Sequence, residues 1–181
     1  MSKAGTLDFD KLSAFNGEPG VVHVVIETEK GSRNKLAYDQ ELGLFRLKKV
    51  LPQGMSFPFD FGFIPSTVAG DGDPLDVLVL MDEPARTGCL VECRIIGAIR
   101  GEQTEKGRKV RNDRLLGIAI PSRAHSDLKN IRDIHPILLS EVETFFVNYQ
   151  QEFGVKFRVT GRVGPREALR IVRSSLKHQG K

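Results

Sequence analysis

The chain reads first as a series of short apolar runs broken by polar turns. Val21–Thr28 is dense in Val and Ile, residues that pack well on a pleated surface, and predicts a strand. Glu29–Asn34 is a polar turn, after which Lys35–Tyr38 and Leu44–Val50 predict two short strands. Val77–Met81, Leu90–Arg100 and Leu115–Ile120 continue the β pattern between Pro-, Gly- or charge-rich loops. Near the C-terminus the period changes. Asp133 or His135 can open a helix with Pro136 in its first turn. Leu138, Val142, Phe145, Phe146, Tyr149 and Phe153 then form an apolar stripe that Gly154 stops. Val155–Gly161 returns to strand, and Pro165–Lys177 predicts a second helix with Ala168, Leu169, Val172 and Leu176 inward. Many short strands followed by one long and one short helix define a β-rich α+β class.

Composition narrows this picture. With 181 residues, 40% apolar and 28% charged, one globular domain over 1–181 is expected, residues 1–20 forming an N-terminal extension. No apolar run approaches the roughly eighteen residues of a membrane span, and the first twenty residues lack a signal-peptide core. Cys89 and Cys93 have no matching His or Cys pair for zinc. They read as reduced thiols, and a cytoplasmic protein is expected. The net charge of +4 favours an anionic partner without separating phosphates from nucleic acid. Lys106, Arg108, Lys109, Arg111 and Arg114 crowd one loop. Arg173, Lys177 and Lys181 in the tail read as a solvated face.

The chemistry concentrates in DGDPLDVLVL, Asp71 to Leu80. Asp71 and Asp73, two residues apart, project to one side of an extended backbone. Gly72 between them lets the chain bend, Pro74 fixes φ, and Asp76 stands at the mouth of the following strand. Three carboxylates so close repel one another unless cations hold them, which suits a hard oxygen-binding metal such as Mg²⁺. An EF-hand loop is excluded, because an apolar strand occupies the place of its last ligand. A solvated acidic turn remains the plain alternative.

DGDPLDV resembles the signature of the soluble family I inorganic pyrophosphatases: Asp, small, Asp, Pro, apolar, Asp. The resemblance extends to VVIE (Val24 to Glu27), FPFDFGFIPST (Phe57 to Thr67) and the helix FFVNYQ (Phe145 to Gln150), covering roughly Val21 to Val163 in order. It implies a five-stranded OB-like β-barrel with flanking helices and a site at the barrel mouth. It also implies Mg²⁺-dependent hydrolysis of pyrophosphate to two orthophosphates. A compact polyanion needs its charge neutralised, a water activated and its leaving phosphate stabilised. Paired Mg²⁺ ions roughly 3.5–4 Å apart serve the last two needs, with cationic side chains on the opposite wall.

By this similarity Asp71 and Asp76 ligate metal, Asp73 is the general base, and Glu27 is a further acidic ligand. Lys35, Lys49 (where the family has Arg), Arg114 and Tyr149 contact phosphate. The loop from Arg100 to Gly117 aligns poorly with the two or three carboxylates the family carries there. Asp113 is the chosen ligand, with Glu102 and Glu105 as weaker candidates, while a one-residue shift puts the neutral amide of Asn112 in its place. Other departures are Phe57 and Phe61 for Tyr, Ala37 for Glu, and Gln150 for Lys. They thin the phosphate-binding shell and keep open the hydrolysis of another phosphoanhydride. A different class, an OB-type nucleic-acid-binding module, draws on the basic loop. The chain has no Trp and two Tyr for base stacking, so no nucleic acid is expected. Analogy with bacterial-type members of this length implies a homo-oligomer, a hexamer.

Overall fold

A computed structural model describes residues 8–177, except the side chains of Asp10 and Glu105. Among these residues nine strands and two α-helices follow one another: β1 (Val21–Thr28), β2 (Asn34–Asp39), β3 (Leu44–Val50), β4 (Asp60–Phe63), β5 (Asp76–Leu80), β6 (Leu90–Glu105), β7 (Arg108–Arg111), β8 (Arg114–Ala119), α1 (Pro136–Glu152), β9 (Lys156–Val163) and α2 (Pro165–Ser174). β1, β4, β5, β8 and β6 pair in that order, and β6 returns to β1, closing a five-strand ring. The β-rich α+β barrel expected from the sequence is the architecture found.

β6 is the axle of the ring. Its first residues pair with β1, its middle with β8, and its far end with β9 and β7. One strand can serve so many partners because it bends at two bulges, between Ile95 and Gly97 and between Arg100 and Gly101. Both glycines are sterically required: a Cβ would lie 2.5 Å from the Val163 carbonyl oxygen at Gly97 and 2.2 Å from the Phe157 ring at Gly101.

The alternation along β5 explains its unbroken apolar run. Val77 and Val79 point into the ring, where Val22, Val24 and Ile26 of β1 meet Ala168, Ile171 and Val172 of α2. Leu78 and Leu80 point outward against Leu139, Val142 and Phe146 of α1. A strand buried on both faces loses the polar half of its period, and β5 pairs in parallel with β8, which is buried throughout.

The predicted elements shift in detail. β4 was not anticipated, since Pro, Gly and Asp in FPFDFGF mask its four residues. The loop from Arg100 to Gly117 is largely the β6–β7 hairpin. The long helix starts at Pro136 with His135 as its cap, Asp133 belonging to the preceding 3-10 turn. On its inner face Leu139 and Gln150 are buried, whereas Leu138, Phe145 and Phe153 are half-buried. α2 ends at Ser174, so Leu176 is exposed and forms a bridge with Thr67 instead of a helical contact. Cys93 is buried and Cys89 exposed, both as free thiols. No helix among the described residues is long and apolar enough to cross a membrane.

Candidate active site

An open cavity of about 570 Å³ lies where the β2–β3 hairpin, the loop ahead of β5, the β7–β8 corner and the end of α1 meet. Its acidic wall grows from a short tether. Thr67 donates its hydroxyl to Ile64 O (2.6 Å) and accepts from Leu75 N (3.0 Å), fixing the two ends of the loop between β4 and β5. Within it Ala69 N donates to Asp73 O (2.7 Å), and Gly72 takes φ +94°, a conformation that side-chain-bearing residues rarely adopt. The turn presents Asp71 and Asp73, and Asp76 follows as the first residue of β5; all three line the cavity.

Two β-bulges aim Glu27 and the Lys48–Lys49 pair at the cavity. The β1–β4 register slips between Ile26 and Thr28, leaving Glu27 as the extra residue. Its Oε2 accepts from Lys35 Nζ (2.8 Å) and its Oε1 from Tyr38 N (2.9 Å). The β2–β3 register pairs Lys35 with Lys49 and then Leu36 with Leu47. Lys48 is therefore the bulged residue, and both Lys48 and Lys49 line the cavity although strict alternation would send only one there. Aromatic faces hold two of these ammonium groups: Lys35 Nζ sits 4.2 Å from the Phe61 ring centroid, Lys49 Nζ 4.1 Å from that of Phe153. The rings of Phe57 and Phe61 thus support a cation even without hydroxyls.

Arg114 opens β8 at the floor of the cavity and is only 3% exposed. Its Nη1 lies 2.5 Å from Asp76 Oδ2 and donates to Asn112 Oδ1, while Phe146 and Phe157 flank its guanidinium at 5.2 and 5.6 Å. Burial pushes the Asp76 carboxyl up to about 6, with Arg114 and then Lys35 pulling the other way. Asp73 is also raised, by desolvation and then by Asp71, against the attraction of Lys35, Lys48 and Arg114. Tyr149 is buried beside the cavity, its phenol pushed up to about 12 by desolvation and then by Asp76.

Of the residues singled out in the sequence, Glu27, Lys35, Lys49, Asp71, Asp73, Asp76, Arg114 and Tyr149 share this one cavity. Asp113 and Glu102 are not among its lining residues. Asp113 is buried against Arg111, whose Nε lies 2.6 Å from Oδ2, and accepts from Gly101 N; Glu102 pairs with Lys109 and Arg158. The Glu105 side chain and Lys181 lie outside the described positions. In place of Asp113 and Glu102 stand the amides of Asn112 and Gln103. Alternation explains the exchange, since each is the sequence neighbour of a predicted ligand. Lys48 had no signal beyond its adjacency to Lys49, and Lys177 reaches the cavity from what read as a solvated tail.

The donor set suits a hard divalent cation. Asp71, Asp73 and Asp76 are close in sequence and share one wall, and the upward shifts of Asp73 and Asp76 mark charge that a cation would relieve. Among the described residues no group of three His, Cys, Asp or Glu side chains is placed to hold a metal ion by itself. Mg²⁺ does not require one, because it keeps several waters and binds through one or two carboxylates.

A small closed barrel whose mouth gathers carboxylates and cationic side chains in one cavity defines a class of protein that works on a compact polyanion. The inorganic pyrophosphatase family model matches residues 24–179. The inorganic pyrophosphatase of Thermus thermophilus is 37% identical over 161 residues, 87% of this chain and 90% of the relative. That of Nostoc sp. is 35% identical over 144 residues, 80% and 82% of the two chains. The crystal structure of the Thermus thermophilus enzyme superposes with a TM-score of 0.85 at 35% identity, covering 93% of this chain and 97% of that one. The chain belongs to the inorganic pyrophosphatase family, whose members depend on a divalent metal.

Proposed function

We propose that this chain hydrolyses inorganic pyrophosphate to two orthophosphates with Mg²⁺ as its metal. The observation that carries the reading is the gathering, in one cavity, of Asp71, Asp73 and Asp76 with Lys35, Lys49 and Arg114, the last paired directly with Asp76. Asp71 and Asp76 are the metal-holding carboxylates, and Mg²⁺ bound there supplies charge neutralisation and a water of lowered pKa. Asp73, solvent-exposed at the mouth and raised above an ordinary carboxyl, accepts the proton of the attacking water. Lys35 and Lys49, held over Phe61 and Phe153, place fixed positive charge against the phosphoryl oxygens without reorganisation. Tyr149, kept protonated by its high pKa, offers a neutral hydroxyl donor from the helix side.

Glu27 serves here as an anchor for Lys35 and the Tyr38 backbone. The basic hairpin gives the nucleic-acid alternative little support, since Arg111 and Lys109 are engaged by Asp113 and Glu102. The Asp73→Asn variant tests the reading: it should keep the circular dichroism spectrum and melting temperature of the parent while losing hydrolysis about a hundredfold or more. Near-full activity in that variant would remove Asp73 from its role. A single domain over 1–181, acting in the cytoplasm as a homo-oligomer, completes the proposal. A light-scattering mass about six times the 20.1 kDa of one chain is expected for the hexamer.

A further inference from the structure

The side of the cavity that adjoins Asp71 is built around an amide. Asn112 N donates to Gly101 O (2.9 Å), and the absence of a side chain at Gly101 permits this approach, since a Cβ there would lie 2.7 Å from Asn112 O. The side chain is 5% exposed and fully committed. Its Nδ2 donates to Asp71 Oδ2 (2.6 Å) and to Gln103 Oε1 (2.7 Å), and its Oδ1 accepts from Arg114 Nη1. The amide has one workable orientation. A carboxylate only accepts and a guanidinium only donates, so a flipped amide would oppose oxygen to oxygen and N–H to N–H. Arg114 in turn pairs with Asp76 Oδ2. The result is a continuous chain, Asp71–Asn112–Arg114–Asp76, in which two carboxylates are tied by a neutral amide and a fixed cation.

We propose that Asn112, braced by Gln103, is a positioning residue that restricts where this cavity takes divalent cations. It occupies Asp71 Oδ2, and through Arg114 it occupies Asp76 Oδ2. That leaves Asp73, Asp76 Oδ1 and Asp71 Oδ1, which accepts only a longer bond from Asp73 N (3.2 Å), as the donors toward a metal. On the Gln103–Asn112–Arg114 side the guanidinium supplies the positive charge that a further ion would otherwise bring. A carboxylate at 112 would reverse this, because it would stand against the acceptors of Asp71 and Gln103. One at 103 would keep its bond from Asn112 while adding a negative charge beside Asp71; either is relieved by a cation. The cavity therefore holds fewer divalent ions, or holds them more weakly, than the same cavity with acidic residues at 103 and 112. The inference rests on the pyrophosphatase reading only for the kind of cation involved.

Calorimetric titration of Mn²⁺ into substrate-free, full-length protein tests it, with Asn112→Asp and Gln103→Glu beside the parent. Each variant is expected to gain an Mn²⁺ equivalent or to bind about tenfold tighter. Asn112→Asp should also melt below the parent in a chelator and recover on adding Mn²⁺, a metal-dependent gain that a purely structural asparagine would not give. If Asn112→Asp does not fold, Gln103→Glu, at a less buried position, carries the test. Folded variants with unchanged Mn²⁺ number and affinity would overturn the proposal. Because no substrate is present, that failure is separate from any failure of the parent to hydrolyse pyrophosphate.

Discussion

Replacing Arg114 by Met probes the joint on which both walls of the cavity rest. The guanidinium is 3% exposed, and the Asp76 carboxylate with which it pairs at 2.5 Å keeps 22% of its side-chain surface. Met fills much of the apolar space between Phe146 and Phe157 but leaves Asp76 without its cation. Removing one partner of a buried pair costs about 3–5 kcal/mol, because the survivor stays desolvated and charged. For a chain of this size 1 kcal/mol moves the melting temperature by about 2–4 °C, so a drop of roughly 6–20 °C is expected. The penalty belongs to the ionised form. Asp76 already titrates near about 6 with Arg114 present, and losing Arg114 raises it further. The deficit therefore grows as pH rises through the raised Asp76 range toward pH 8, and shrinks toward pH 5, where the carboxyl takes a proton with or without Arg114. Thermal unfolding in a metal chelator at both pH values measures this, with the double variant Arg114→Met/Asp76→Leu as control. Replacing both charges should recover more than half of the loss. A single variant within about 2 °C of the parent at pH 8, or a double variant no better than the single, would refute the buried pair.

Two further predictions separate neighbouring residues. Phe57 is 1% exposed and does not line the cavity, so Phe57→Tyr buries a hydroxyl without a partner and should cost about 1–3 kcal/mol by urea denaturation; Phe61, which lines the cavity, should accept Tyr at less than half that cost. Equal costs would contradict the placement of the two rings. Lys48→Gln removes an exposed cation brought to the cavity by the β3 bulge, and should raise KM for pyrophosphate about two- to fivefold with little change in kcat. The effect should fade in high salt, and a KM unchanged at low salt would place Lys48 outside the substrate's reach.

The strand-rich order and the acidic segment were legible because each has a local cause. Val21–Thr28 and Leu44–Val50 carry their period in their own residues and appear with those bounds. Asp71, Asp73 and Asp76 needed only one turn to meet. What was not legible depends on the register between strands distant in sequence. Lys48 owes its aim to a bulge, and a bulge is a property of a pair of strands; Glu27, also aimed by a bulge, was found only through the family resemblance. The same limit explains the Arg100–Gly117 segment. Once Glu102 pairs with Arg111 across the hairpin, Gln103 and Asn112 face the cavity and Glu102 and Asp113 do not; a sequence scan that ranks ligands by charge selects the carboxylates. Leu176 went astray for a simpler reason, since helical spacing continues two residues past the point where the α2 backbone turns away.

Hydrolysis itself is measured most directly as phosphate release from pure pyrophosphate by the parent chain, with excess Mg²⁺ and again with the metal chelated. Rapid release with Mg²⁺ that stops on chelation and returns when Mg²⁺ is restored is expected. Folded protein that binds the metal yet releases no phosphate would contradict the proposed hydrolysis. The amides at 103 and 112 and the missing hydroxyls at Phe57 and Phe61 would then mark a cavity that no longer turns over this substrate.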